Sequence, residues 1–309
     1  MAGMTKEEKR LKALGAALRT KLQVRDELPQ ELPYLGMGSS YFAALAFRYM
    51  GLSIYPELAS EYFYYLQGAR FSEAVILSQS GKSSEALWCA DLFQQYTAIT
   101  NDPESPLATH PSASRVIRLQ AGEEKFSSSK TYVNTLLALF KGFGFRMEGS
   151  VDALFRRIKA MEEKGKALAD EVFSIVSSRP VSGLYITGSG PDIATALQSA
   201  LILSESSRLC FQGLALAQYD HGPKETAKDS IVIQVVSRGP AYTRNGELRK
   251  TITNAGASVL VVEEEGTDNL SPVLFNCIPF NFMAYYLSRQ LGIAETFVVG
   301  NKVTEVRSL

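Results

Sequence analysis

Only two histidines, His110 and His221, and three cysteines, Cys89, Cys210 and Cys277, occur among the 309 residues. The cysteines are odd in number, sit among apolar neighbours and lack a CxxC spacing. That pattern excludes a disulfide framework or zinc site and predicts buried thiols in a reducing compartment. No cluster of ligating residues is visible, so neither a metal nor another cofactor is expected. No apolar stretch approaches the roughly 18 residues that a membrane span needs. The start, MAGMTKEEKRLKALG, is charged and has no signal-peptide core, so a cytoplasmic protein is expected. Excess charge of either sign is also missing: 32 Lys and Arg balance 32 Asp and Glu. No global field therefore draws the chain to nucleic acid or an anionic membrane, and an anion site has to be local. Neither GxGxxG nor a complete P-loop is present, which disfavours a nucleotide, and no helix-turn-helix extension or basic tail suggests a DNA-binding regulator.

What is present is an alternation. With 46% hydrophobic and 21% charged residues, the chain can build two modest cores. Residues 5–24 read as a polar helix. From Pro33 onward strand-like segments (YLGMG, LSIYPELA, EAVILS, YTAITND, SRVIRLQ) alternate with helical ones, and a helix follows at about 128–145. Alternation of this kind predicts parallel α/β sheets with helices on both faces. After a long charged helical stretch, 151–178, the pattern restarts. YLGMGSSYFAALA at 34–46 is echoed by YITGSGPDIATALQ at 185–198, and SEAVILSQSGKSSEAL at 72–87 by DSIVIQVVSRGPAYT at 229–243. The spacing of about 150 residues, too long for a solenoid unit, predicts two copies of one fold. The expected organisation is an amino-terminal helix (1–32), a first domain (33–150), a connecting helix (151–180), a second domain (181–295) and a tail (296–309).

The segment ILSQSGKSSEAL, 76–87, breaks from strand to helix through a cluster of hydroxyls. Ser78, Gln79, Ser80 and Ser83 could satisfy the acceptor oxygens of a phosphate ester together with main-chain N–H groups, and Gly81 would let the backbone approach closely. The simpler explanation is that Ser83 is a helix N-cap and the rest is polar loop. A second turn, Ser39 and Ser40 after Gly38, also begins a helix. In a doubly wound sheet both turns would open at the carboxyl edge, where ligands bind. The matching loop of the second half has Val235, Val236, Ser237, Arg238, Pro240 and Ala241, so one anion site is expected per chain, in the first half.

A second constellation is SESSRLCFQGLALAQYDHGP, 204–223. Its opening reads as the tail of a helix over 191–206, which puts Glu205 near a helix end. His221 precedes the helix-breaking Gly222 and Pro223, whereas His110 reads as loop.

LSQSGKSSEAL, AGEEKFSSSKTYVNTLLAL and LSESSRLCFQGLALAQYDHGP, in that order, resemble the sugar isomerase (SIS) domain family. They are similar in particular to the isomerase half of glucosamine-6-phosphate synthase and its deaminase and deglycase relatives. The resemblance covers about residues 33–309. It implies two tandem SIS-type, doubly wound parallel-sheet subdomains of flavodoxin-like αβα form. It also implies a phosphate site at Ser78, Gln79, Ser80 and Ser83, with Ser39 and Ser40 from the GSS turn. Glu205 would move a proton between C1 and C2, and His221 would assist ring opening at the partner subunit's site, which implies a homodimer. Lys302 in the tail would form a Schiff base with a keto sugar, and Glu123 and Ser127 would lie close to the sugar.

Two positions depart from the synthase pattern. A site-facing lysine is Ile202 here, and a glutamate is Gln212. No amino-terminal cysteine nucleophile domain is seen, so glutamine hydrolysis is not expected. The expected function is an aldose-ketose isomerase or deaminase converting glucosamine 6-phosphate to fructose 6-phosphate and ammonia, with a sugar phosphate as its small-molecule partner. The alternatives are a phosphosugar isomerase, a deglycase of the fructosamine 6-phosphate type, or a non-catalytic sugar-phosphate sensor.

Overall fold

The computed structural model describes residues 27–67, 71–124, 126–264 and 271–299. The helix expected over 5–24 and the tail carrying Lys302 lie outside the described residues. Two compact units divide the rest: residues 27–48 with 52–155, and 49–51 with 156–299.

In the first unit the elements run β1 (Pro33–Gly36), α1 (Ser39–Tyr49), β2 (Tyr55–Leu58), α2 (Ala59–Tyr65), β3 (Glu73–Leu77), α3 (Ser84–Ala90), β4 (Gln95–Thr100), α4 (Pro106–Thr109), β5 (Ala113–Arg118) and α5 (Lys130–Gly142). The five strands are parallel, in the order β2-β1-β3-β4-β5. Parallel strands covered on both faces need apolar residues at successive positions. Leu35, Val75, Ile76 and Ala98 on β1, β3 and β4 are accordingly fully buried. Tyr62, Cys89 and Phe93 close over this sheet from the flanking helices and their ends. Burying side chains such as Leu35 and Ile76 contributes about 1.5–3 kcal/mol each.

A single helix, α6 (Glu148–Ser178), carries the chain from the first unit into the second. There follow β6 (Leu184–Gly188), α7 (Asp192–Ser207), β7 (Phe211–Ala215), α8 (Leu216–His221), β8 (Ile231–Val235), α9 (Tyr242–Asn254), β9 (Ser258–Val262) and α10 (Pro272–Gln290). The order β7-β6-β8-β9 is again all parallel and repeats β2-β1-β3-β4 of the first sheet. Its core gathers Ile186, Leu203, Ile233, Val262, Phe280 and Met283.

The internal repeat is thus a repeat of topology, and its glycines do the same work twice. A Cβ on Gly36 would come within 2.9 Å of the Ser40 Cβ, and one on Gly188 would strike the backbone of Asp192. Gly38 and Gly190 each take a left-handed φ, +49° and +58°, at the turn into the helix. The architecture is that of two tandem doubly wound α/β sheets.

One sequence expectation changes. Cys210 is exposed, whereas Cys89 and Cys277 are buried. It lies in the short connection between α7 and β7, and connections run over the surface whatever the polarity of their neighbours. Burial pushes the Cys89 and Cys277 thiols up to about 12, which leaves them protonated and inert. The stretch 204–223 also contains a strand, β7, between its helix tail and its histidine. Among the described residues no helix is long and apolar enough to cross a membrane.

Candidate functional site

In the first sheet the strand order reverses direction between β1 and β3, which pair directly with Gly36 opposite Leu77. The connections leaving these two strands diverge to opposite sides and open a crevice at the carboxyl edge, the usual ligand position in such sheets. Both serine turns start there. Ser39 and Ser40 are the first residues of α1, half-buried, with the Ser40 N–H donating to the Met37 carbonyl at 3.1 Å. Ser78 follows β3 immediately.

The loop from 78 to 83 is held by its own backbone and by β4. The Ser78 N–H donates to the Ile99 carbonyl and the Gly81 N–H to the Ser78 carbonyl, each at 3.0 Å. The Gln79 carbonyl accepts from the Asn101 N–H at 3.0 Å and from the Thr100 hydroxyl at 3.2 Å. Gly81, at φ +62°, packs so closely that a Cβ would overlap the Ser105 hydroxyl. Its carbonyl accepts from the Leu107 N–H at 3.1 Å.

Ser83 occupies the N-cap position of α3 yet makes no side-chain cap bond. Its hydroxyl lies 3.1 Å from that of Ser78 instead. The simple capping explanation therefore does not describe what Ser83 does. Ser80 Oγ accepts from the Lys82 N–H at 3.2 Å. Lys82 itself faces Asp102 at 3.9 Å with both side chains largely in solvent, a pair worth little.

Asn101 links this loop to the segment that carries Glu123 and Ser127. Its amide donates to the Gly122 carbonyl at 2.9 Å, and its Oδ1 accepts from the Ala121 N–H at 2.7 Å. Beyond, Glu124 organises the turn into α5: its Oε1 accepts from the Ser129 N–H at 3.1 Å, the Ser129 hydroxyl at 3.0 Å and the Lys130 N–H at 2.9 Å. Its other oxygen accepts from the Thr131 hydroxyl. A carboxylate is favoured in that place, where the first N–H groups of a helix lack intrahelical partners. Glu123 is exposed. The Ser127 hydroxyl is buried with no hydrogen-bond partner among the described residues.

Sequence inspection missed Asn101, Ser105 and Glu124. The signals were there: an Asn one residue beyond a strand, and the second Glu of a pair ahead of SSSK.

Glu205 and His221 lie in the second unit, on α7 and α8 to either side of β7 in the chain. Glu205 is half-buried in the last turn of α7, which ends at Arg208 in a left-handed conformation, φ +58°. Ser204 Oγ accepts from the Phe211 N–H at 3.1 Å and the Ser206 hydroxyl donates to the Ile202 carbonyl, so these serines finish the helix. Ile202 is buried in the core, and Gln212 is exposed on β7. His221 is exposed at the end of α8.

The corresponding crevice of the second sheet, between β6 and β8, differs at the start of its helix. Where α1 begins with serines, α7 begins with Asp192, whose carboxyl is buried and held by Ser237 and by the Asn276 amide at 3.1 Å. Burial pushes Asp192 above the usual carboxylate range against these hydrogen bonds. Among the described residues no group of three or more His, Cys, Asp or Glu is placed to hold a metal ion.

No family model matches the chain. It is 25% identical over 328 residues to glutamine–fructose-6-phosphate aminotransferase (isomerizing) 1 of Arabidopsis thaliana, covering 91% of this chain and 46% of that protein. The chain spans about half the length of the first curated relatives it matches. In structure it is similar to a glucosamine-6-phosphate deaminase from Thermotoga maritima, with a TM-score of 0.75 and 20% identity over 92% of this chain and 93% of that one. The C-terminal domain of glucosamine-fructose-6-phosphate aminotransferase from Francisella tularensis gives 0.72 and 17%, over 92% and 94%. By sequence the chain is homologous to the isomerase portion of these aminotransferases, and its fold is the tandem SIS fold.

Proposed function

We propose that the protein is a phosphosugar isomerase that deaminates glucosamine 6-phosphate to fructose 6-phosphate and ammonia. The observation that carries the phosphate assignment is the crevice between β1 and β3. Its two turns offer the hydroxyls of Ser39, Ser40, Ser78, Ser80 and Ser83, and Ser83 is released from capping its own helix. Hydroxyls can donate to every face of a phosphate without a metal. The homology to aminotransferases of fructose 6-phosphate supports a sugar phosphate as the substrate. Gln79, Glu123 and Ser127 complete the binding set in this proposal.

The chemistry then needs a base that takes the proton from C2 of the open aldose and returns it to C1. The product is a C2 imine, which water hydrolyses to the ketone and ammonia. Glu205 is assigned this transfer, a step of the kind worth roughly 10²- to 10⁴-fold. His221 is assigned the proton exchange that opens the ring, in a homodimer where it serves the partner subunit's site, and Lys302 the addition to the C2 imine carbon, from which ammonia leaves, so that water hydrolyses a Schiff base to the ketone and frees the lysine amine. The phosphate supplies binding energy remote from the bonds that change. The proposed setting is the cytoplasm.

The test is ammonia release from glucosamine 6-phosphate by the purified chain. Glu205→Gln should abolish turnover and leave binding of the sugar phosphate unchanged. Turnover of a glycated amino acid phosphate with none of glucosamine 6-phosphate would make it a deglycase, as would suit the apolar Ile202. Binding with no turnover of either would make it a sensor.

A further inference from the structure

His221 is exposed at the end of α8, and among the described residues its ring has no hydrogen-bond or ion-pair partner. A side chain that exchanges a proton at one ring oxygen needs its direction set by its surroundings. With no partner on the ring, that task falls to the backbone of a six-residue helix. The inner face of α8 is anchored by Leu216 and Tyr219, both buried, with the Tyr219 ring 5.1 Å from that of Tyr185 on β6. Its outer end is held by charge. Asp220, the residue before His221, accepts from Lys224 Nζ at 2.9 Å through Oδ1 and from the Arg244 guanidinium at 2.8 Å through Oδ2. Lys224 belongs to the 3₁₀ turn Pro223–Thr226, and Arg244 to the first turn of α9. The hydrogen bonds from Arg244 and then Lys224 hold the Asp220 carboxyl below the usual carboxylate range, so it stays charged at neutral pH.

Ion pairs open to solvent add little to stability, and this cluster is no exception. Its place in the chain is what matters. Gly222 follows His221 directly, and a Cβ there would meet nothing within 4 Å, so the backbone beyond the histidine is not braced by packing. The turn after it is tied back at Thr226, whose hydroxyl lies 2.7 Å from that of Tyr185, and at Lys224 through Asp220. We infer that Asp220 and Arg244 are positioning residues for ring opening: the carboxylate, gripped from α9 and from the turn after α8, fixes the direction in which His221 leaves its helix. This rests on the role proposed for His221.

The test uses the full chain. Asp220→Ala should lower kcat for glucosamine 6-phosphate about tenfold or more, the scale of a displaced catalytic group, and leave KM nearly unchanged. Arg244→Met should act in the same direction, and Arg244→Lys should restore most of the loss. In a His221→Ala background neither Asp220→Ala nor Arg244→Met should cost anything further. A second measurement stands whatever the chain turns over. It has only two histidines, so His110, 3.1 Å from Asp91 in the first unit, serves as an internal reference. By NMR relaxation on isotope-labelled histidine, Arg244→Met should lower the order of the His221 ring and leave His110 as it was. Wild-type kcat in Asp220→Ala, an equal loss with and without His221, or a His221 ring as ordered in Arg244→Met as in the wild type would each overturn the assignment and leave the role of His221 standing. Full turnover in His221→Ala would instead remove that role, and this inference with it.

Discussion

The hydroxyl oxygens of Ser78 and Ser83 stand 3.1 Å apart, one just beyond β3 and the other just ahead of α3. The pair draws the loop closed across its own mouth. It also gives Ser83 a role outside the helix it precedes.

Ser83→Ala should cost about 1 kcal/mol of stability through the lost hydrogen bond. It should also weaken inorganic phosphate binding about tenfold or more, the scale of a hydrogen bond to a charged group. Ser83→Thr keeps the hydroxyl and should restore both quantities. Denaturant unfolding and phosphate titration on the three proteins check this; a stability loss with unchanged phosphate affinity would return Ser83 to a merely local role.

Gly81→Ala should destabilise the first unit by about 2 kcal/mol or more. A left-handed φ costs an L-residue roughly 1–2 kcal/mol, and the new Cβ overlaps Ser105 as well. Adding Ser105→Gly should recover the steric part and leave the conformational part. The double-mutant cycle, read by unfolding, separates the two contributions.

Glu124→Ala should cost about 2–3 kcal/mol, because it strands the Ser129 and Lys130 N–H groups at the start of α5. Glu123→Ala, removing an exposed carboxylate, should stay within about 0.5 kcal/mol. The same Glu123 variant tests the sugar contact through KM, since its stability is expected to stay put.

Asp192 sets a pH dependence of definite sign. Its folded-state pKa lies above the unfolded value because burial disfavours the charge. The folded protein thus binds the extra proton, and stability falls as pH rises from 3.8, the ordinary value, through the folded pKa. Asp192→Asn should remove this slope. The variant should match or exceed the wild type at neutral pH and lose that advantage in acid, which unfolding curves across the pH range will read.

Much of this molecule is written locally. YLGMGSS and EAVILSQSG announce strand, glycine turn and helix start by residue type alone, and their echoes at 185–198 and 229–243 announce a second sheet. The echo also carried its own correction, since serines at the start of α1 stand opposite Asp192 in α7. Other features were illegible because they depend on neighbours far along the chain. Asn101 means nothing until β4 lies beside β3 and brings it against Gln79 and Gly122. Glu123 and Glu124 are indistinguishable as letters, and only the turn into α5 decides which one receives the four donors. Cys210 reads as apolar among its neighbours and lies at the surface because the connection after Arg208 does.

Periodicity and turn chemistry act over a few residues, so strand-helix alternation, the doubled fold and the serine-rich turns follow from the chain read in order. Which hydroxyl meets which and whether Ser83 caps its helix follow from strand order and packing. Those contacts are made between residues that only the folded sheet brings within hydrogen-bonding distance, and no local rule contains them.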